Sequence, residues 1–235
     1  MIKVLICDDS AFMRKIFSDT IEADPKLTVI DTSYNGNDAL RKLDRYNVDV
    51  LMLDIEMPEL NGIETLEIVT ERYPDLPVIM VSALDNRETV FRALEMGAFD
   101  FIPKPSGSIS LNIDSIKEEL VLKIKAAAKG QSPAPEMKKE KNKKSKADGN
   151  FPVIAVGSSS GGPKALNKLF SAFPENFPAA FVIVQHMPAG FTETLAARLD
   201  SISGLKITEA QKGDKLQPGT ALLAPGDFHL RIDDK

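Results

Sequence analysis

The stretch "VDVLMLDI", residues 48–55, contains an unbroken apolar run that ends at an aspartate. A strand with one solvent-exposed face alternates apolar and polar residues, whereas a strand buried on both faces does not. The run "VIMV", residues 78–81, has the same character. Both runs therefore predict central strands of a parallel sheet that is covered by helices on both faces.

Further strand and helix patterns alternate around these two runs. The other predicted strands are residues 3–8, 27–32 and 100–105, and the predicted helices are residues 10–23, 36–46, 62–73, 86–98 and 113–129. Five strands that alternate with five helices predict an α/β domain with a doubly wound, five-stranded parallel sheet. Ligands of such sheets bind at the carboxyl ends of the strands.

A segment without periodic apolar residues interrupts the chain at "GQSPAPEMKKEKNKKSKADGN", residues 130–150. Its prolines and charges are typical of a linker. We therefore predict a first domain at residues 1–125, a linker at 126–150 and a second domain at 151–235. A solvated linker is the favoured interpretation of the lysine-rich part, and a patch that binds nucleic acid or membrane is the alternative.

The segment after the linker begins a second alternation of strands and helices. Strands are predicted at residues 151–157, 179–187 and 205–210, and helices at 163–173 and 191–202. This order predicts the first half of a second parallel, Rossmann-like α/β domain.

Composition limits where the protein works and what it binds. The 235 residues are 43% apolar and include one cysteine, Cys7, so no internal disulfide is possible. No stretch approaches the roughly 18 apolar residues of a membrane span, and no signal peptide is visible. We expect a cytoplasmic monomer without membrane insertion. Residues 1–130 contain 15 Lys and Arg against 23 Asp and Glu, which argues against nucleic-acid binding.

Acidic residues stand at the predicted strand ends of the first domain. Asp8 and Asp9 close the first strand, Asp54 closes the third, Ser82 the fourth and Lys104 the fifth. Clustered carboxylates repel one another unless a cation lies among them, and Mg²⁺ prefers such oxygen ligands. Each residue alone could equally be a turn, cap or surface residue.

The motifs "DDS", "LDIEMPELNG", "VSAL" and "KP", in this order, resemble the receiver domain of two-component response regulators. The resemblance implies that Asp54 accepts a phosphoryl group, and that Mg²⁺ is held by Asp8, Asp9, Asp54 and the backbone carbonyl of Glu56. It further implies that Ser82 and Lys104 contact the phosphoryl group and that Phe101 is an aromatic switch residue.

The second domain opens with "VIAVGSSSGGPKAL", residues 153–166. The pattern Gly-x-Ser-x-Gly fits only one of the three serines, Ser159, which lies between Gly157 and Gly161. A serine on a tight strand-to-helix turn can act as a nucleophile with backbone N–H groups nearby. A phosphate-binding turn at a helix N-terminus is the competing interpretation.

A serine nucleophile needs a base, and the chain contains two histidines, His186 and His229. His186 follows the strand "FVIVQ", so the parallel sheet should bring it to the same edge as Ser159. A hydrogen-bonded turn histidine is the alternative. His229 lies in an alternating segment that we expect to be exposed.

The motifs "VGSSSGG", "QHMPAGFT" and "LLAPGDFHL" resemble the catalytic domain of CheB-type chemotaxis protein-glutamate methylesterases, in which a receiver domain precedes the catalytic domain. The resemblance implies that Ser159 is the nucleophile, that His186 is the general base and that Ser160 lies at the active-site turn. Chemoreceptors would be the substrates, through methyl-ester hydrolysis and glutamine deamidation. A chemotaxis histidine kinase would donate the phosphoryl group, and the esterase would need no cofactor.

The resemblance has one gap. The third, acidic member of the family's catalytic triad has no counterpart here, since Asp233 and Asp234 come too early and in the wrong context. The later strands of the family's sheet are also missing, so we interpret the sequence as truncated at its C-terminus and expect this chain to be incomplete for catalysis. The alternative function is a non-enzymatic phospho-switch whose output domain only binds a partner.

Overall fold

The structure, a computed structural model, describes residues 1–83, 86–104, 113–130 and 151–233. The chain forms two compact units, Met1–Pro133 and Ala134–Lys235. Residues 131–150, most of the predicted linker, lie outside the described residues, as does Asp234. No described helix is long and apolar enough to cross a membrane.

The first unit is the predicted five-stranded parallel sheet with helices between the strands. Its strands are β1 (Ile2–Cys7), β2 (Leu27–Ser33), β3 (Val50–Asp54), β4 (Val78–Ser82) and β5 (Asp100–Pro103). Its helices are α1 (Ala11–Glu22), α2 (Gly36–Leu43), α3 (Gly62–Arg72), α4 (Arg87–Met96) and α5 (Ile113–Lys129). The strand order is β2-β1-β3-β4-β5, and every pairing is parallel.

Polar side chains fix where the first three helices begin. Ser10, Asn35 and Asn61 each accept a hydrogen bond from a backbone N–H in the first turn of α1, α2 and α3. Asn61 and Glu64 form a reciprocal capping box. Such caps pair N–H groups that have no partner inside the helix. Each helix therefore starts close to the end of the preceding strand.

The apolar runs that predicted the central strands are buried as expected. Every residue of β3 and β4 is buried. Helix α5 packs on this core through Ile124 and Ala127, both at most 1% exposed. Because Ala127 belongs to the core, α5 continues to Lys129 and its last turn lies inside the range 126–150 predicted as linker.

The second unit is also a parallel sheet with connecting helices. It contains β6 (Val153–Ser158), α6 (Gly162–Phe170), β7 (Ala180–Gln185), α7 (Phe191–Ile202), β8 (Lys206–Glu209) and β9 (Thr220–Leu223). The strand order is β6-β7-β9-β8. Strand β9 was not among the predicted strands, yet it lies between β7 and β8. It pairs with β7 and β8 on either side, and three of its four residues are buried.

Burial is uneven across the second sheet. Phe170 and Phe181 pack edge to face, with ring centroids 5.4 Å apart, and both are at most 1% exposed. In contrast, Val153 on β6 and Val184 on β7 are about half exposed, at 48% and 50%. Among the described residues, β6 pairs with β7 alone. The side of the unit that carries β6 is therefore the more exposed one.

Candidate functional site

The carboxyl ends of four strands of the first sheet lie at one edge, because adjacent parallel strands end on the same side. Asp54 and Ser82 are the last residues of β3 and β4. Asp8 and Asp9 come directly after β1, and Lys104 comes directly after β5. We call these five residues the carboxylate site. They are the five residues that the sequence placed at strand ends.

Short distances join the charged groups of the carboxylate site. One oxygen from each of Asp8, Asp9 and Asp54 lies within 4.8 Å of the others. The Lys104 ammonium donates a hydrogen bond to Asp54 Oδ2 at 2.6 Å, and it lies 3.3 Å from Asp8 Oδ2. The Lys104 ammonium thus contacts two of the three carboxyl groups, those of Asp54 and Asp8.

Burial controls the protonation of Asp54. The residue is 1% exposed, and desolvation raises its pKa from 3.8 to about 6. The hydrogen bond from Lys104 lowers this pKa and the Asp8 charge raises it, but burial is the largest cause. Burial also raises the pKa of Asp8. For Lys104, burial acts to lower the pKa, and its contacts with Asp54 and Asp8 outweigh that effect and raise it.

The donor set of the carboxylate site fits a divalent cation. Asp8 Oδ2 is buried and accepts no hydrogen bond among the described residues, although Lys104 is near. Asp9 is exposed, which leaves the cluster open to solvent on one side. Oxygen ligands with room for water suit Mg²⁺, and a cation would neutralise the excess negative charge.

The loop after β3 holds Asp54 from the other side. A Cβ at Gly62 would lie 2.0 Å from the Asp54 carbonyl oxygen, so only glycine allows α3 to start this close to the strand. The backbone N–H of Glu56 acts to lower the pKa of the Asp54 carboxyl, and the Glu56 side chain accepts a hydrogen bond from Asn86 at 2.7 Å. Glu56 therefore lies beside the carboxylate site, and its carbonyl remains a predicted metal ligand.

The residues expected to contact a phosphoryl group and to act as a switch are both buried. Ser82 is 2% exposed, and its hydroxyl donates to the carbonyl of Ala83 at 3.0 Å. Phe101 is 1% exposed. The Lys123 ammonium lies 5.1 Å from the centre of the Phe101 ring and donates to the Phe101 carbonyl at 2.6 Å. The Phe101 ring therefore faces inward in this structure.

The second predicted pair, Ser159 and His186, lies at adjacent strand ends. Ser158 and Gln185 end β6 and β7 and are partners across the two strands. The N–H of His186 donates to the carbonyl of Ser158 at 3.0 Å. Both Ser159 and His186 are exposed. Within residues 151–233, no hydrogen bond joins the Ser159 hydroxyl to the His186 ring. The main chain, rather than a direct bond between side chains, brings the two residues together.

Ser159 stands on a tight turn between β6 and α6. The carbonyl of Ser159 accepts a hydrogen bond from Gly162 N at 2.8 Å, and Gly161 has a left-handed backbone with φ of 71°. Glycine adopts that conformation without steric cost. The turn places Ser159 at the N-terminal end of α6, where the helix dipole favours negative charge.

Two polar features near this pair were not predicted from the sequence. Gln185, at the end of an apolar strand, is 6% exposed and bonds to the main chain on both sides. Thr192 is fully buried, donates to Glu209 at 2.6 Å and accepts from the N–H of Gly226 at 2.9 Å. One sequence signal could have indicated Gln185: it is a polar residue that directly follows the apolar residues of "FVIV" in the predicted strand.

An acidic partner for His186 is not found in the described part of the second unit. No described carboxylate accepts a hydrogen bond from the His186 ring, and Asp233 is exposed. Within residues 151–233, the pair Ser159 and His186 therefore lacks the third residue that a serine hydrolase uses to orient its histidine.

Comparisons with known proteins match both units. Residues 4–113 match the family described as response regulator receiver domain, and residues 154–235 match the family described as CheB methylesterase. The response regulator domain of Thermotoga maritima CheB is 43% identical, with a TM-score of 0.50. That match covers 55% of this chain and 96% of that domain.

Curated relatives match nearly the whole chain. A protein-glutamate methylesterase/protein-glutamine glutaminase from Pyrococcus abyssi is 44% identical over 98% of this chain and 65% of its own length. One from Syntrophomonas wolfei is 44% identical over 99% of this chain and 69% of its own length. The chain thus spans about two thirds of the length of these relatives.

Proposed function

Because the chain belongs to the family of protein-glutamate methylesterases/protein-glutamine glutaminases, we propose that it hydrolyses glutamate methyl esters under the control of a receiver domain. The adjacency of Ser159 and His186 at two neighbouring strand ends is the observation that carries this proposal. Chemotaxis receptors are the proposed substrates, and a chemotaxis histidine kinase is the proposed phosphoryl donor. Receptor glutamines are the proposed second substrate.

In the proposed reaction His186 takes the proton of the Ser159 hydroxyl as the oxygen attacks the ester carbonyl. The negative charge that forms on the carbonyl oxygen is stabilised at the N-terminal end of α6. Methanol leaves with a proton from His186, and an acyl-serine remains. A water molecule, deprotonated by His186, then hydrolyses the acyl-serine and releases glutamate. On a glutamine side chain the same steps release ammonia.

In the first unit we propose that Asp54 accepts the phosphoryl group. Asp8, Asp9, Asp54 and the carbonyl of Glu56 would hold Mg²⁺, which supplies charge neutralisation when bound. Lys104, already bonded to Asp54, would then pair with the phosphoryl oxygens. Ser82 is proposed to donate its hydroxyl to the same group, and Phe101 to change its position when the group is added.

Phosphorylation is proposed to shift the balance between an inhibited and an active arrangement of the two units. This regulation rests on the family and on a linker long enough for the units to separate. The cytoplasmic location and the monomeric state stay predictions.

The esterase proposal is tested on a chain of the relatives' full length with a methylated receptor peptide, by following methanol release. Ser159→Ala should abolish turnover, because no other serine fits the motif at the turn. Ser201→Ala, which removes an exposed hydroxyl on α7, is the matched control and should leave turnover unchanged. Methanol release that persists in Ser159→Ala would overturn the assignment. Binding of the peptide without turnover in the unmodified chain would favour the non-enzymatic switch instead.

The receiver proposal is tested with acetyl phosphate as donor. Uptake of phosphate should require Mg²⁺ and should be lost in Asp54→Asn. Uptake that proceeds unchanged in the presence of excess chelator, or in the variant, would contradict the proposed site.

A further inference from the structure

Gln185 is a buried amide in an otherwise apolar strand. It ends β7 directly before His186, and it is 6% exposed. A buried amide is costly unless its donors and its acceptor are paired. Leucine or valine would continue the pattern of the strand, so a glutamine here needs partners that an apolar residue could not bind.

Three hydrogen bonds pair this amide. Its Nε2 donates to the carbonyl of Ser159 at 2.9 Å and to the carbonyl of His186 at 3.1 Å. Its Oε1 accepts from the hydroxyl of Ser158 at 2.6 Å. Since both partners of Nε2 are carbonyl oxygens, only this orientation of the amide satisfies all three bonds. The side chain thus joins the β6–α6 turn to the residue after β7.

The first turn of α6 is built around this amide. The Ser159 carbonyl also accepts from Gly162 N at 2.8 Å, so Gln185 and the helix share one acceptor. A Cβ at Gly162 would lie 1.9 Å from Gln185 Oε1. The missing side chain of Gly162 therefore provides the space in which the amide lies.

We propose that Gln185 is a positioning residue for Ser159 and His186. Its amide fixes the distance between the two main-chain segments that carry them, and this inference rests on the proposed function. Within residues 151–233 neither of the two side chains is held by a hydrogen bond of its own, so their separation follows the main chain. A displacement of about 1 Å in such a pair can lower a rate on the order of 100-fold.

The test uses the full chain and the variant Gln185→Glu. The substitution keeps size and shape but replaces two N–H donors by an oxygen that faces two carbonyl oxygens. Gln211→Glu makes the same chemical change at an exposed position and is the matched control. The probe is a fluorophosphonate. Ser159 forms a bond to phosphorus, the P–F bond breaks, fluoride leaves and His186 takes the serine proton.

We expect Gln185→Glu to lower the maximal labelling rate of Ser159 at least about tenfold. The probe concentration that gives the half-maximal rate should stay within about twofold of the value for the unmodified chain, because the buried amide does not touch the probe. Gln211→Glu should match the unmodified chain. As pH falls, the variant-to-parent ratio of rates should rise, since a protonated carboxyl regains one donor. A loss of fold would instead lower the fraction of chains that can be labelled and leave the labelling rate of the remaining chains unchanged.

The outcomes separate this inference from the proposed function. Labelling that survives Ser159→Ala, or no labelling of the unmodified chain, overturns the proposed function and the inference with it. Labelling that requires Ser159 but proceeds at the parent rate in Gln185→Glu overturns the inference alone. If Gln185→Glu does not fold, Gln185→Asn, which keeps the amide but shortens the side chain, takes its place. An unchanged rate in Gln185→Asn likewise overturns the inference.

Discussion

Replacing Asp54 by asparagine should stabilise the first unit, and the gain should depend on pH. Asp54 is almost fully buried, and its pKa is raised from 3.8 to about 6. The shift corresponds to about 3 kcal/mol against the ionised form in the folded state. Asparagine keeps the shape and removes the charge, so Asp54→Asn should raise the free energy of unfolding by up to about 3 kcal/mol. Loss of the charge-assisted bond from Lys104 offsets part of the gain.

The sign of the pH dependence follows from the direction of the shift. A carboxyl whose folded-state pKa is raised costs stability when it is ionised, and this cost is fully present above the folded-state pKa. The advantage of Asp54→Asn should therefore be largest above about pH 6 and should vanish below about pH 4. The surface change Glu71→Gln removes a charge from an exposed position on α3 and should show no such dependence.

The chain provides a selective probe for this measurement. It has no tryptophan and three tyrosines, and Tyr34, Tyr46 and Tyr73 all belong to the first unit. Urea unfolding followed by tyrosine fluorescence, with chelator present, therefore reports that unit within the full chain. An equal stabilisation at pH 4 and pH 7.5, or none at either, would refute the argument from burial. Adding Mg²⁺ should stabilise the parent more than Asp54→Asn.

Three further predictions address other contacts. Lys123→Met should destabilise the first unit by about 3 kcal/mol, because it removes the ammonium that lies 3.1 Å from the buried Asp100 carboxylate. The double variant Lys123→Met with Asp100→Leu should recover much of this loss in the same urea assay. Gly162→Ala should slow Ser159 labelling, since its Cβ would lie 1.9 Å from a Gln185 oxygen. Deleting residues 1–150 from a chain of the relatives' full length should raise methyl-ester hydrolysis, and no rise would contradict inhibition by the receiver.

The sequence predicted the architecture of the first unit well because its signals are local. In four of the five strands a short apolar run ends at or directly before a polar residue of the carboxylate site, so the strand ends and this site could be predicted together. The direction and size of the pKa shift of Asp54 could not, because they depend on burial by residues distant in sequence.

The second unit was less predictable for two physical reasons. The place of β9 in the sheet depends on its pairing with β7 and β8, and a local sequence pattern says nothing about such pairing. The role of Gln185 depends on carbonyl groups of Ser159 and His186, and a sequence pattern says nothing about main-chain acceptors. The position of His186 beside the serine turn could be predicted, since it requires only that two parallel strands be neighbours.

The two sites obtain their geometry by different means, and this difference bears on regulation. In the carboxylate site, burial is the main reason that ionised Asp54 costs about 3 kcal/mol in the folded state. A ligand or modification can shift a two-state equilibrium only by its differential free energy for the two states. If phosphorylation relieves this cost in one arrangement alone, the population ratio can change by roughly 100-fold. Ser159 and His186 are both exposed, so this pair contains no comparable buried charge. Under the proposed regulation, the free energy for switching comes from the first unit, and Asp54→Asn, which removes the proposed phosphoryl acceptor, should lower the response to phosphoryl donors without changing basal esterase chemistry.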